Sequence, residues 1–223
     1  NLLKYRDESI AIEYFCENKI KGQITYKELF CKVTDCANYL QSLGVKQGDR
    51  VAGFMPNIPE TVIAMLAASS IGAVWSSCSP DFGTSGVLDR FSQINPKVLF
   101  VSDGYFYKGK EINLSSKINQ IIKSLSTIKK IICAKVIGAS NIDNCIFWDE
   151  IPNSVNPIDF AQVSFSHPLY IMYSSGTTGK PKSIVHSVGG TLIQHIKELK
   201  LHCDLKKSDK IFYFTTCGWM MWN

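Results

Sequence analysis

Residues 174–182 carry the densest set of chemically useful side chains in the sequence. Ser174-Ser175-Gly176-Thr177-Thr178-Gly179-Lys180-Pro181-Lys182 places four hydroxyls, two glycines and two lysines in nine positions. Glycine tolerates positive φ and lets backbone come close to a ligand, so successive N–H groups can converge on one anion. The hydroxyls add donors, and Lys180 and Lys182 add charge, which together make the components of a phosphate cradle. The string follows Leu169-Tyr170-Ile171-Met172-Tyr173, an apolar strand pattern, and precedes Ser183-Ile184-Val185-His186-Ser187, which alternates like a second strand. It is not a Walker A loop, which carries Ser or Thr directly after its lysine and launches a helix; here Pro181 follows Lys180 and a strand comes next. A polar hairpin loop without a ligand uses the same residue types, and composition alone leaves both readings open.

Other reactive side chains are more dispersed. His195 and His202 lie seven residues apart on a helical pattern over 190–201 whose apolar face is Leu192, Ile196 and Leu199. Two helical turns separate them, too far for joint metal ligation, so partly buried, hydrogen-bonded histidines are expected. His167 stands before Pro168 and is expected to cap a turn, while His186 falls in the strand after the loop. Asp89 beside Arg90 in a short helix reads as a solvated face, with Asp81 nearby. There is no paired-carboxylate pattern, no His-Glu-x-x-His, no serine elbow and no Gly-x-Gly-x-x-Gly, so hydrolase and dehydrogenase readings have no support. The eight cysteines (Cys16, Cys31, Cys36, Cys78, Cys133, Cys145, Cys203 and Cys217) form no Cys-x-x-Cys pair. Most sit in apolar stretches such as Leu29-Phe30-Cys31 and Ile131-Ile132-Cys133, which predicts free, buried thiols in a reducing cytoplasm.

A loop of this kind needs a rigid platform, and the upstream pattern supplies one. Apolar residues at 29, 30, 33, 36, 37, 40 and 43 predict a helix over 25–43, capped by Thr25 and followed by Gly44. A short buried strand over 49–55 is closed by Pro56, and Pro59-Glu60 opens a second helix to about residue 71. Strands at 73–78, 97–101 and 130–136 alternate with helices at 85–94 and 112–125. Strands separated by helices predict an α/β fold with parallel sheets flanked by helices. A polar, Asn- and Pro-rich connection runs from 138 to 166, interrupted by the apolar piece 145–148. The expected division is a leading segment (1–20), a first α/β subdomain (21–150), a connection (151–168) and then 169–223. That last part is read as the phosphate-loop hairpin and the incomplete start of a second α/β subdomain.

Composition agrees with a globular chain: 223 residues, 45% hydrophobic, 19% charged and net charge +5. Disorder, collagen, coiled coil and a disulfide-stapled scaffold are excluded on these figures. The longest weakly polar run, 62–75, is broken by Ser69, Ser70 and Gly72 and falls short of the roughly 20 residues a membrane span needs. Residues 1–100 balance ten basic against ten acidic side chains, and the excess lies in scattered lysines after Arg90. Without an arginine-bearing stripe, nucleic acid is not an expected partner, whereas an anionic small molecule is compatible. The absence of an initiator Met and the aromatic tail 212–223 read as a piece of a longer protein.

The string Tyr173-Ser174-Ser175-Gly176-Thr177-Thr178-Gly179-Lys180-Pro181-Lys182 resembles the phosphate-loop signature of the adenylate-forming superfamily, departing from it only at Ser183, where most members have Gly. Ser77-Cys78-Ser79-Pro80-Asp81-Phe82-Gly83, Val87-Leu88-Asp89-Arg90-Phe91, Pro96-Lys97-Val98-Leu99-Phe100 and Phe214-Thr215-Thr216-Cys217-Gly218-Trp219-Met220-Met221-Trp222-Asn223 are most similar to the acetoacetyl-CoA synthetases within it. The resemblance covers essentially the whole chain, as the first part of the large N-terminal domain of such an enzyme. It implies ligation of acetoacetate to coenzyme A through an acyl adenylate, with ATP, Mg2+ and coenzyme A as co-substrates and cofactor, in the cytoplasm. Another short-chain acid (acetate, propionate, hydroxybutyrate) and a non-catalytic adenylate-binding module are the alternatives.

The same resemblance assigns Ser174, Ser175, Gly176, Thr177, Thr178, Gly179 and Lys182 to the β- and γ-phosphates of ATP, with Lys180 at a position that varies. Trp219 and Met220 match the stretch lining the acyl pocket, although a strand end with a tight turn at Gly218 explains them equally. Lys108 and Lys110 fall where related enzymes place basic residues against the 3′-phosphate of coenzyme A; a solvated basic loop is the plainer alternative. The acidic Mg2+ ligand, the ribose-binding Asp and the mobile-domain Lys of the family all lie downstream. This chain alone is therefore expected to be inactive, with no catalytic residue and no metal ligand of its own.

Overall fold

A computed structural model of the chain describes residues 3–139, 141–174 and 179–223. The elements run β1 (Ile10–Cys16), β2 (Ile20–Thr25), α1 (Tyr26–Ser42), β3 (Arg50–Phe54), α2 (Pro59–Ser70), β4 (Val74–Cys78) and α3 (Thr84–Ile94). They continue with β5 (Val98–Ser102), β6 (Gly104–Tyr107), β7 (Lys110–Asn113), α4 (Ser115–Ser124), β8 (Lys130–Ala134), β9 (Cys145–Phe147), β10 (Pro168–Ser174), β11 (Lys182–Ser187) and α5 (Val188–Ile196).

The capping expected for α1 is present. The Thr25 hydroxyl accepts from the Glu28 N–H at 3.1 Å, and the Glu28 carboxylate accepts from the Thr25 N–H at 2.8 Å. This reciprocal box satisfies donors that a helix start leaves open. The helix then buries Leu29, Val33, Cys36, Ala37 and Leu40, a stripe at helical spacing. α2 opens on Pro59, where a missing N–H costs nothing.

Among the described residues the main sheet has seven strands in the order β11-β10-β4-β3-β5-β8-β9. β10 through β9 run parallel, and only β11 is antiparallel, paired to β10. Side chains alternate cleanly between two cores. Val51, Trp75, Val98, Phe100, Ile132, Tyr170 and Met172 face α1 and α2. Ala52, Phe54, Val74, Leu99, Val101, Ile131 and Ile171 face α3 and α4. Strands buried on both faces explain the nearly continuous apolar runs in the sequence. The step from β3 to β4 goes one way along the sheet and the step from β4 to β5 goes back past β3. Right-handed crossovers put the helices of those opposite steps on opposite faces.

The structure corrects the sequence reading in two places. Residues 104–113 form the β6–β7 hairpin, so the helix expected over 112–125 begins only at Ser115. The strand pair after the polar connection also completes the first sheet: β10 lies parallel to β4, with Tyr170 opposite Trp75. The connection is a crossover returning from the β9 edge. Trp148, Ile151 and Ile158 pack against the α1/α2 core, Ser154 N–H donates to Asp35 Oδ1 at 2.7 Å, and Asn38 Nδ2 donates to Ser154 Oγ at 2.7 Å.

Candidate nucleotide and thioester site

In an open parallel sheet, ligands bind beyond the carboxyl ends of the strands, where the order of winding reverses. Here that reversal lies between β3 and β5. Three pieces of chain converge along this edge: the loop after β10, the tail 215–223 over β4 and β3, and the β6–β7 hairpin after β5.

The phosphate-loop segment is framed by its two strands. Ser174 is paired with Lys182 and Tyr173 with Ser183. Directly cross-strand residues share a face, so Lys182 and Ser174 belong to the α1/α2 side while Ser183 and Tyr173 belong to the α3 side. Ser175, Gly176, Thr177 and Thr178 lie outside the described residues. Gly179 has φ +143°, in the region that favours glycine. Beneath the loop, Ser76 Oγ donates to the Ile171 carbonyl at 2.8 Å and stands 3.2 Å from the Tyr173 hydroxyl, which donates to the Arg90 carbonyl at 3.2 Å. The Arg90 guanidinium lies over Phe82 and Tyr173. Burial pushes the Tyr173 phenol well above its ordinary value, so it stays a proton donor. Asp89 and Arg90 were expected on a solvated face; Arg90 instead packs under the loop, and Asp89 lies 3.5 Å from Lys180.

The tail is fastened across the ends of β3 and β4. Ser77 Oγ donates to the Cys217 carbonyl at 2.7 Å, and Trp222 Nε1 donates to Asn57 Oδ1 at 2.9 Å. Asn223 Nδ2 reaches Met172 Sδ at 3.2 Å, tying the tail to β10 as well. Gly218 passes so close to the 79–82 turn that a Cβ would stand 3.0 Å from the Ser79 nitrogen and 3.1 Å from the Phe82 ring. Trp219 is 65% exposed and Met220 42% exposed, so their side chains face outward from the strand ends. Cys78 and Cys217 are buried; burial raises the Cys78 thiol to about 12 and raises Cys217 as well, which removes both as nucleophiles at neutral pH.

The third piece carries Lys108 and Lys110. Lys108 and Gly109 have φ +51° and +75°, the two-residue turn whose twist suits a hairpin. The β1–β2 turn also holds two positive-φ residues, Glu17 and Asn18 at +45° and +59°, but with Lys19 as a third loop residue before Ile20. The two tips meet: the Glu17 carboxylate accepts the Lys108 N–H at 2.7 Å and the Gly109 N–H at 2.6 Å. Both lysines remain exposed. With β4 and β3 between them, β10 and β5 are three strand spacings apart, roughly 14 Å. An open cleft of about 290 Å³ lies beside this hairpin, between Pro56, Asn57, Tyr105, Phe106 and the Phe212–Thr215 stretch.

The remaining residues fall elsewhere. His195 sits on α5, where burial and the neighbouring His186 hold its pKa down, and the helix passes into a wider π turn over Lys197–His202. The apolar face expected to be buried there is open: Leu192, Ile196 and Leu199 are exposed, as is His202. His167 Nε2 meets the Gly72 carbonyl at 2.9 Å, and the His186 ring lies against Tyr170. All eight cysteines are free, four of them buried, but Cys31 is exposed because it falls on the outer side of α1. Among the described residues no three His, Cys, Asp or Glu side chains gather to hold a metal ion, and no helix is long and apolar enough to cross a membrane. Sequence reasoning passed over Glu17, Gln93, Asn57 and Ser77, whose partners lie far along the chain.

Several known proteins are similar to this chain. Acetoacetyl-coenzyme A synthetase of Rhizobium meliloti is 46% identical over 232 residues, and acetoacetyl-CoA synthetase of Gallus gallus is 48% identical over 236. Each alignment takes in 100% of this chain and 35% of the relative, so the chain spans about a third of the length of the proteins it matches. The solved acetoacetyl-CoA synthetase from Streptomyces lividans superposes with a TM-score of 0.94 at 43% identity, covering 99% of this chain and 35% of that one. The family of AMP-binding enzymes matches residues 4–222, and the chain belongs to that family.

Proposed function

We propose that the protein containing this chain joins acetoacetate to coenzyme A through an acyl adenylate, consuming ATP and releasing pyrophosphate and AMP. The observation that carries this reading is the order of the three segments along one sheet edge: phosphate loop, tail with Trp219 and Met220, then lysine hairpin. That is the order the two half-reactions require. The carboxylate oxygen attacks the α-phosphorus while pyrophosphate leaves on the loop side. The thiolate of coenzyme A then attacks the acyl carbonyl and AMP leaves.

In this reading Ser174, Ser175, Gly176, Thr177, Thr178, Gly179 and Lys182 hold the β- and γ-phosphates. Prepositioned donors of this kind stabilise charge as it builds on phosphoryl oxygens and departing pyrophosphate. Trp219 and Met220 supply one wall for a small acyl group, and Lys110, with Lys108, places a point charge for the 3′-phosphate of coenzyme A. Mg2+ comes with the family's nucleotide chemistry; the described residues offer it no cluster of ligands, and the lysine and hydroxyls of the loop are the neutralising groups this chain supplies. Catalytic groups from further along the protein complete the site, so the isolated chain forms no thioester. The compartment we assign is the cytoplasm, in keeping with the free thiols.

The test is carboxylate-dependent ATP–pyrophosphate exchange by the full-length protein with acetoacetate, acetate, propionate and 3-hydroxybutyrate. Preferred exchange with acetoacetate is expected. Preference for another acid would keep the chemistry and replace the substrate, and no exchange by the folded protein would leave only an adenylate-binding module.

A further inference from the structure

One side chain of helix α3, Gln93, fastens the returning strand of the phosphate hairpin. Gln93 Nε2 donates to the Pro181 carbonyl at 2.8 Å and to the Asp89 carbonyl, one turn back on α3, at 2.6 Å. Its Oε1 accepts from the Ser183 hydroxyl at 2.8 Å. The amide therefore uses both ends on the two residues that flank Lys182, while its second donor contact braces it against its own helix. Ser183 is also the one position where the loop string departs from most of the superfamily, which has glycine and so no hydroxyl to donate. Lys182 lies between the two anchored residues and on the opposite face of the strand from Ser183, so fixing Pro181 and Ser183 fixes the backbone from which Lys182 projects. The partly buried Ser76–Tyr173–Arg90 contacts hold the other strand of the same hairpin to the same helix.

We infer that Gln93 and Ser183 form a positioning pair that sets Lys182 against the nucleotide's phosphates. The inference rests on the phosphate-loop reading above. Gln93 touches no reacting atom. Losing it should loosen the loop exit and weaken ATP binding, with coenzyme A binding untouched.

The experiment uses the full-length protein and compares Gln93→Leu, Ser183→Gly, the double variant and Lys182→Ala, by ATP–pyrophosphate exchange and by thioester formation. Exposed neutral hydrogen bonds are individually modest, so each single variant should raise the KM for ATP by about three- to ten-fold. The KM for coenzyme A and the melting temperature should stay at the parent values. The double variant should match the worse single variant, because both remove one shared contact. Gln93→Glu, which keeps the acceptor for Ser183 but turns a carboxylate oxygen toward the Pro181 and Asp89 carbonyls, should be at least as impaired as Gln93→Leu. An unchanged KM for ATP in Gln93→Leu, equal rises for ATP and coenzyme A, or effects that simply multiply in the double variant would each overturn the pair. If Lys182→Ala exchanges normally, the phosphate-loop reading itself falls and takes the pair with it. If Lys182→Ala is impaired while Gln93→Leu is not, only the pair falls.

Discussion

Two hairpins bring lysines to the same edge of the sheet, and they are held in different ways. The β6–β7 hairpin is short, with two four-residue strands, and its support comes from outside at the tip: one carboxylate from another hairpin takes two turn N–H groups. The β10–β11 hairpin is part of the main sheet, and its support is at the base of its loop, where Tyr173 of one strand reaches Arg90 and Pro181 and Ser183 on the other side meet Gln93 of α3. Gripping the tip through backbone leaves the side chains of Lys108 and Lys110 free to move, which suits a charge that meets a flexible, arriving ligand. Gripping the base from both strands fixes direction, which suits a lysine that must match a phosphate at the moment of bond cleavage.

The contrast can be tested by removing lysines and supports in turn. Lys182→Ala should have the largest effect, about 100-fold on the exchange rate, the scale seen when one prepositioned donor to a developing anion is lost. Lys110→Ala should raise the KM for coenzyme A about five-fold and leave exchange alone, since an exposed point charge contributes little more than 1 kcal/mol. Glu17→Gln removes the charge and one of the two acceptors from the tip. It should raise the KM for coenzyme A about three-fold and speed hydrogen exchange at the Lys108 and Gly109 amides. A larger effect of Glu17→Gln on ATP than on coenzyme A would break the comparison. Lys180→Ala should be the smallest, within about two-fold in the KM for ATP, because its partner Asp89 is an exposed carboxylate and such pairs are weak.

The helices and parallel strands were legible because each carries its own signal. Thr25 and Glu28 announce a cap, Pro59 a helix start, and the buried strands run apolar on both faces. The two small hairpins were not, since their turns use Glu17-Asn18 and Lys108-Gly109 in place of the usual Asn-Gly, and β6 and β7 are only four residues each. The loop proposed for phosphate could be singled out by its residue types. Its supports could not: Gln93 lies 90 residues from Ser183, and Glu17 lies 91 from Lys108. A lone Gln or Glu on a polar stretch carries no mark of such a partner. That β10 and β11 join the first sheet was hidden for a related reason, because the crossover that returns β10 to β4 is built from polar, Asn- and Pro-rich sequence that reads as a boundary.

The returning crossover also sets an order of assembly. Ser76 waits for Ile171, 95 residues later, before its hydroxyl finds a partner, and closing so long a loop is slow. The four strands β4-β3-β5-β8 are joined by short crossovers, so during synthesis they can fold with α1 to α4 before the phosphate loop has left the ribosome. Nascent chains stalled at a length where residue 140 has cleared the exit tunnel but residue 168 has not should therefore already resist a protease over 25–134. The β10–β11 edge is then added to a finished template, so the part of the sheet proposed to meet the nucleotide is the last that this stretch of chain acquires as it is made.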